Sequence, residues 1–240
     1  EKDPEASHRD SVQPVGVLVQ AVANAAPSPT RLASVVLAGS ATQYGLGQHL
    51  PVRESDPDRP ASVYDQHKCE AETAARALQR HGVAVVSARL ANVYGPGAAT
   101  SSPDRGVLTK MVGLAMAGES LKVFAPGTWL RDYVYIDDVV DALIALAVDG
   151  ARVPEGRALV CSGTSVALLT AAQRAAHAAG CVTEREVTVN VVPPPRALLP
   201  VETREFSATP ERLMALGWRA RVSLDQGLAR TAGALAVTRC

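Results

Sequence analysis

The chain has 240 residues, 47% of them hydrophobic, and carries 24 basic and 24 acidic residues. That balance excludes an electrostatic partner such as nucleic acid or an anionic membrane surface, and the length suits one large domain or two small ones. No apolar run approaches a membrane span, and Glu1-Lys2-Asp3-Pro4 lacks a signal-peptide core.

In chain order, residues 1–12 read as a loop and 15–26 as a helix, closed by Pro27-Ser28-Pro29. Ser34-Val35-Val36-Leu37-Ala38-Gly39 reads as a buried strand with Ser40 at its end. Residues 45–60 form a polar loop, and 61–80 a long helix stopped by His81-Gly82. Residues 83–90 form a second apolar strand, and Asn92-Val93-Tyr94-Gly95-Pro96-Gly97 a tight loop. Helix 106–118, short strands at 121–124 and 133–135, and a helix opened by Asp137 and Asp138 follow. Strand 158–161, helix 165–179, strand 187–192, the Pro193-Pro194-Pro195 connection and two closing helices around Gly217-Trp218 complete the chain. Apolar strands joined through helices imply a parallel sheet covered on both faces, with its ligand crevice beyond the strands' carboxyl ends. Ser40 and Asn92 fall just past such ends, and Tyr64 opens the helix between them.

Tyr64 and Lys68 stand four residues apart in Tyr64-Asp65-Gln66-His67-Lys68, so both side chains leave one helix face. An ammonium beside a phenol favours the phenolate, which suits the phenol to proton transfer. A serine hydroxyl nearby can hold a carbonyl or alkoxide. Together they suit alcohol–ketone chemistry with hydride exchanged at a nicotinamide. The spacing alone also fits a tyrosine packed by a lysine stem. His67 lies on another face of the helix and reads as a surface residue. The cysteines Cys69, Cys161, Cys181 and Cys240 have no Cys-x-x-Cys spacing and read as reduced thiols of a cytosolic protein, with no metal site.

The ordered motifs Ser40-Ala41-Thr42-Gln43-Tyr44-Gly45, Tyr64-x-x-x-Lys68, Arg89-Leu90-Ala91-Asn92-Val93-Tyr94-Gly95-Pro96-Gly97, Arg131-Asp132-Tyr133-Val134-Tyr135-Ile136-Asp137-Asp138 and Leu216-Gly217-Trp218 resemble the extended short-chain dehydrogenase/reductases that act on nucleotide sugars. Asp104-Arg105-Gly106-Val107, Ala117-Gly118-Glu119-Ser120-Leu121 and Gly127-Thr128 are most similar to NDP-4-keto-6-deoxyhexose 4-ketoreductases of antibiotic deoxysugar pathways. The resemblance implies an α/β fold. Residues 1–100 would be the C-terminal half of a Rossmann-like doubly wound parallel sheet. Residues 101–240 would form a smaller nucleotide-sugar-binding domain, with segments returning to the first. The family's opening G-x-x-G-x-x-G turn does not occur here, so the chain is expected to start near the end of that domain's fourth strand. Pro14 stands near where relatives carry an asparagine.

The resemblance also implies roles. Tyr64 would be the general acid, Lys68 its partner and a ligand of the nicotinamide ribose, and Ser40 the residue that orients the sugar C4 oxygen. NADP(H) or NAD(H) would lie against Ala38, Gly39, Tyr64, Lys68, Leu90, Asn92 and Val93. The sugar nucleotide, TDP-linked by resemblance, would meet Ser40, Thr42, Gln43, Tyr64, Asn92, Arg131 and Arg204. For Asn92 the alternative is a loop cap bonded to backbone. For Arg131 it is an ion pair with Asp132 or Asp138, and for Arg204 a surface pair with Glu202 or Glu205. Trp129 and Trp218 read as core. Ala41 and Thr42 replace the Asp-Glu pair expected of a 4,6-dehydratase, which leaves 4-ketoreductase first, NAD-dependent 4-epimerase second, and a non-catalytic nucleotide-sugar binder as the third reading. A homodimer built from helices 15–26 and 61–80 is also implied.

Overall fold

A computed structural model describes residues 3–25, 32–47, 49–97 and 106–237. The Pro27-Ser28-Pro29 turn, Asp104-Arg105 and Cys240 lie outside the described residues. The chain divides into two compact units. The first comprises Glu1–Ala91, Val140–Val160 and Thr209–Arg219; the second comprises Asn92–Val139, Cys161–Ala208 and Ala220–Cys240.

The first unit opens with helix α1 (Pro4–Ser11), where the sequence reading has a loop. Its start is set by Asp3, whose carboxylate accepts the Ala6 N–H at 2.9 Å, and by Pro4, whose fixed φ suits a first helical turn. Helix α2 (Gln13–Asn24) follows. Strand β1 (Ser34–Ser40) and strand β2 (Ala84–Leu90) run parallel, joined through helix α3 (Val63–Ala75) and a 3-10 turn over Arg76–His81. The predicted helix 61–80 is therefore α-helical only in its middle. Strand β6 (Arg157–Val160) pairs parallel to the other side of β2, giving the order β1-β2-β6. Central β2 is buried along almost its whole length. In β1 only Gly39 and Ser40 are buried, because among the described residues it pairs on one side only. Val12, Val15, Ala71, Ala75, Leu78, Val83 and Val85 form this unit's buried cluster, where α2, α3 and the turn after α3 meet the sheet.

The second unit is built on strands β3 (Asn92–Tyr94), β5 (Leu130–Tyr135) and β7 (Ser165–Ala167), with β4 (Leu121–Phe124) paired parallel to β8 (Val189–Val192). Asn92–Tyr94, expected as loop, is a strand because it pairs parallel with β5. Residues 165–167, expected as helix, pair antiparallel with β5, and helix α6 starts at Leu168 and runs to Thr183. Helix α5 (Ile136–Asp149) leaves β5 and continues into the first unit's segment. Helices α4 (Val107–Met116), α6 and α8 (Leu224–Val237) enclose the core. The buried face of α6 is Ala171, Ala172, Ala175, Ala176, Ala178 and Ala179, and such small side chains let α4 and α8 pack close. Gly227 of α8 is required for the same reason: a Cβ there would collide with the Tyr94 phenol oxygen. Helix α7 (Glu211–Ala215) belongs to the first unit. Among the described residues no helix is long and apolar enough to cross a membrane.

Buried carboxylates fasten other segments by their main chain. In the second unit Asp132, fully buried, accepts the Ser162 and Gly163 N–H groups at 2.7 and 2.9 Å. Asp138 accepts those of Arg221 and Val222, both at 3.0 Å. In the first unit Glu54 accepts Leu159 N–H at 2.7 Å and Arg212 N–H at 2.8 Å. Burial pushes the Glu54 carboxyl above its ordinary value, and it pushes Asp132 from 3.8 up to about 6, with the N–H bonds pulling the other way. Between those two values the folded chain holds a proton that the unfolded chain releases. The Asp132 contribution to stability is thus full below about pH 4 and is lost as the pH rises through about 6. Over that window the native protein should lose on the order of 2–3 kcal/mol relative to Asp132→Asn, read from urea titrations at both ends. Parallel stability curves for the two proteins would refute it.

Candidate active site

The start of α3 is fixed by its cap. Ser62 Oγ accepts the Asp65 N–H at 3.1 Å, and the Asp65 carboxylate accepts Ala61 N–H at 3.2 Å. Tyr64 therefore sits in the first turn and Lys68 one turn on, both half-buried. Lys68 Nζ lies 5.6 Å from the Tyr64 ring centroid and donates to the Ala38 carbonyl at 2.8 Å. That bond latches the helix to the last residues of β1. His67, expected at the surface, is half-buried. Its Nδ1 is 2.9 Å from Ser7 Oγ and its ring meets His8 edge-on at 5.3 Å, which clips α1 to α3.

The parallel register sets Ser40 beside Leu90, at the carboxyl ends of β1 and β2, the end at which open α/β sheets present ligand-binding groups. Ser40 Oγ accepts the Thr42 N–H at 3.2 Å and lies 2.8 Å from Thr42 Oγ1. Ser40 N–H donates to Gln43 Oε1 at 2.8 Å, completing a capping box around the turn 41–44. Gln43, expected to touch the sugar, is fully buried, and its amide nitrogen donates to Glu72 at 3.1 Å. Its amide is bonded within the protein at both ends. Thr42 remains half-buried beside Ser40. Gly39, expected against the cofactor, is constrained from its inner side. A Cβ there would stand 2.9 Å from Gln43 Oε1 and 2.5 Å from Ser87 Oγ.

Beneath this turn lies an ionic cluster that sequence reasoning missed. Arg89 of β2 is fully buried, and its guanidinium forks onto Asp58 at 2.6 and 2.9 Å and onto Glu72 at 3.0–3.2 Å. Its plane also covers the Tyr44 ring, 4.7 Å from the centroid. Burial opposes the Arg89 charge, but the Asp58 hydrogen bonds and the two carboxylates outweigh it and hold the group above its ordinary value. Arg157 adds a bond to Asp58 at 3.4 Å, and Arg76 one to Glu72 at 3.1 Å. The neighbouring Cys69 thiol is raised by burial and then by Asp58. One signal was present in the sequence. An arginine inside an apolar strand must be paired when buried.

The remaining candidates belong to the second unit. The Asn92 side chain donates to the Asp132 carbonyl at 2.9 Å, so it braces β3 against β5 and does not cap its own loop. Val93 pairs with Val134 in the same ladder. The Arg131 guanidinium donates to the Leu130 and Glu202 carbonyls at 3.0 and 2.8 Å. Asp132 and Asp138, considered as its ion-pair partners, also accept backbone N–H groups. Arg204 is half-buried; beside it Glu202 pairs with Arg196 at 2.8 Å and Glu205 accepts Leu130 N–H at 3.3 Å. Trp218 is buried in the first unit and Trp129 half-buried in the second.

The family described as the NAD dependent epimerase/dehydratase family matches residues 1–162. A dTDP-6-deoxy-L-talose 4-dehydrogenase (NAD(P)(+)) of Kitasatospora kifunensis is 31% identical over 88% of this chain and 64% of its own length. A dTDP-L-rhamnose 4-epimerase of Burkholderia thailandensis is 32% identical over 75% of this chain and 48% of its own. The crystal structure of a UDP-glucose 4-epimerase with UDP-glucose from Thermotoga maritima superposes with a TM-score of 0.81 at 21% identity, covering 100% of this chain and 73% of that one. The fold is thus Rossmann-like α/β with a parallel sheet. The chain spans from about a third to about two thirds of the length of the curated relatives it matches.

Replacing Arg89 by methionine strands Glu72 and Asp58 without their shared countercharge. The expected cost is about 3–5 kcal/mol of unfolding free energy. Guanidinium titration should show part of it returning when Glu72→Gln and Asp58→Asn are added, and a loss confined to a few tenths of a kcal/mol would refute the cluster's role.

Proposed function

We propose, since the chain belongs to the NAD dependent epimerase/dehydratase family, that it carries the proton-transfer residues of an NAD(P)-dependent oxidoreductase acting at C4 of a nucleotide sugar. The reaction put first is reduction of the C4 ketone of a TDP-4-keto-6-deoxyhexose. The observation that carries the reading is the half-buried phenol–ammonium pair of Tyr64 and Lys68, latched at the carboxyl end of β1. The 4-dehydrogenase relative, matched over 88% of this chain, supports the choice of reaction.

These residues suit the nicotinamide half of a dinucleotide. A half-buried lysine and tyrosine share one face of α3 beside the exposed residue Ala38 and the buried Gly39. The glycine-rich turn for a pyrophosphate is not in this sequence. When bound, NAD(P)H supplies the hydride taken up by C4. Tyr64 gives its phenolic proton to O4 as the C=O bond becomes an alkoxide, and the phenolate left behind is reprotonated from solvent. Lys68 places a positive charge beside that phenolate and holds the nicotinamide ribose. Ser40 Oγ hydrogen-bonds O4 and fixes the face presented to Tyr64. Asn92, Arg131 and Arg204 are assigned to the nucleotide-sugar side, with Ala38, Leu90 and Val93 on the cofactor side.

The second reading is a 4-epimerase, favoured by the dTDP-L-rhamnose 4-epimerase relative. The same residues would then take the proton from O4 and return it after the sugar presents its other face. The test uses the protein that carries this chain, a TDP-4-keto-6-deoxyhexose and NADPH or NADH, followed by nicotinamide absorbance. Stoichiometric oxidation is expected, with Tyr64→Phe lowering kcat by about 10²–10⁴-fold. Interconversion of C4 epimers without net oxidation would replace the first reading by the second, and neither activity would leave nucleotide-sugar binding alone. The homodimer belongs to this proposal too, with α2 and α3 as its interface and Val17 of α2, 66% exposed, at its surface. Light scattering should return twice the monomer mass; a monomer at micromolar concentration would discard it.

A further inference from the structure

We propose that Glu72 is the positioning residue that keeps Ser40 in register with the Tyr64–Lys68 pair. The inference rests on the reading of Ser40, Tyr64 and Lys68 given above. Positions 64, 68 and 72 are successive turns of α3, so the acid, its cationic neighbour and this carboxylate share a face. Glu72 is 4% exposed. From it a continuous path runs to the serine: Gln43 Nε2 donates to Glu72 at 3.1 Å, and Ser40 N–H donates to Gln43 Oε1 at 2.8 Å.

A bland reading makes Glu72 only a counterion for Arg89. Two observations weigh against it. Asp58 grips both terminal nitrogens of Arg89 at 2.6 and 2.9 Å, so Glu72, which accepts from Nε and Nη2, is the second carboxylate on that charge and not its sole partner. The bond from Glu72 to the neutral Gln43 amide does nothing for that charge. What it does is orient an amide. A carboxylate only accepts, so Glu72 draws the Gln43 NH₂ toward α3 and leaves Oε1 facing Ser40. Turned over, the amide would set its donors against the Ser40 N–H, and the turn 41–44 would have to move. The space for this arrangement is built in. Gly39 sits opposite Arg89 in the ladder, and a side chain there would press on Gln43 Oε1. Glu72 touches no substrate in this scheme; it acts through Gln43 on Ser40 and through the shared helix on Tyr64.

The test compares Glu72→Gln with the exchange variant Glu72→Gln/Gln43→Glu, in which residue 72 donates to a carboxylate at 43 that still accepts the Ser40 N–H. Glu72→Gln should lower kcat by about ten-fold or more while KM for the sugar nucleotide stays within about two-fold, since an ångström of misplacement is felt in the chemical step. The exchange variant should recover most of that loss. In a Ser40→Ala background Glu72→Gln should cost nothing further. Additive losses in that background, or failure of the exchange to rescue, would overturn the proposal in favour of a purely structural salt bridge. Hydrogen exchange at the Ser40 amide gives a readout independent of turnover. It should quicken in Glu72→Gln while bulk amides hold, and unchanged exchange would overturn the link itself. An inactive wild type would discard the proposed reaction, and with it any catalytic purpose of the link, even where the exchange result confirmed the link.

Discussion

A guanidinium with no exposure to water is the constraint around which the first unit is arranged. Arg89 lies in the central strand, and a charge placed there is tolerable only if every donor finds an acceptor. The acceptors come from two different places: Asp58 from the loop between β1 and α3, and Glu72 from α3 itself. Satisfying one arginine therefore fixes a loop, a helix and a strand at once. The catalytic candidates inherit this order. Tyr64 and Lys68 ride on the helix that Glu72 anchors, and Ser40 sits on the turn that Gln43 braces. The hydroxyl and the phenol owe their placement to a network that neither enters.

That arrangement explains why so much polar chemistry lies below the strand ends. Ser40 and Thr42 share their hydroxyls, Gln43 spends both ends of its amide, and Lys68 caps the carbonyl of Ala38. Each bond removes a rotamer that would otherwise have to be frozen when substrate arrives. Sites built this way meet the cost of ordering during folding and not during binding.

Much of this was legible in the sequence, and the limits have physical causes. The helix period placed Tyr64 and Lys68 on one face, and apolar runs located β1 and β2, because both signals are local. The exit of β1 at Ser40 followed from where its apolar run stops. Three things were not legible. Strands β3 and β7, three residues each, carry no apolar run of their own and exist through pairing with β5. The inward bond of Gln43 to Glu72, 29 residues away in sequence, is visible only in the fold. The partners of Arg89 at 58 and 72 could not be singled out among the acidic residues without coordinates. Helix α1 is a different case, since Asp3-Pro4 is a helix start readable from local sequence.

The carboxylates of Glu54, Asp132 and Asp138 share a trait with consequences for how such a protein can change over generations. Each grips main-chain N–H groups, and main chain is common to every residue but proline. At 159, 162, 163, 212, 221 and 222 the bond itself is made by the main chain and not by the side chain. Drift at those positions leaves the fastening intact, whereas the three acids admit few replacements. The loops at 162–163 and 221–222, secured by their backbone, can be rewritten residue by residue while their course stays put. A lineage built on this plan can explore new substrate contacts by point substitution, without first having to reinvent the fold that displays them.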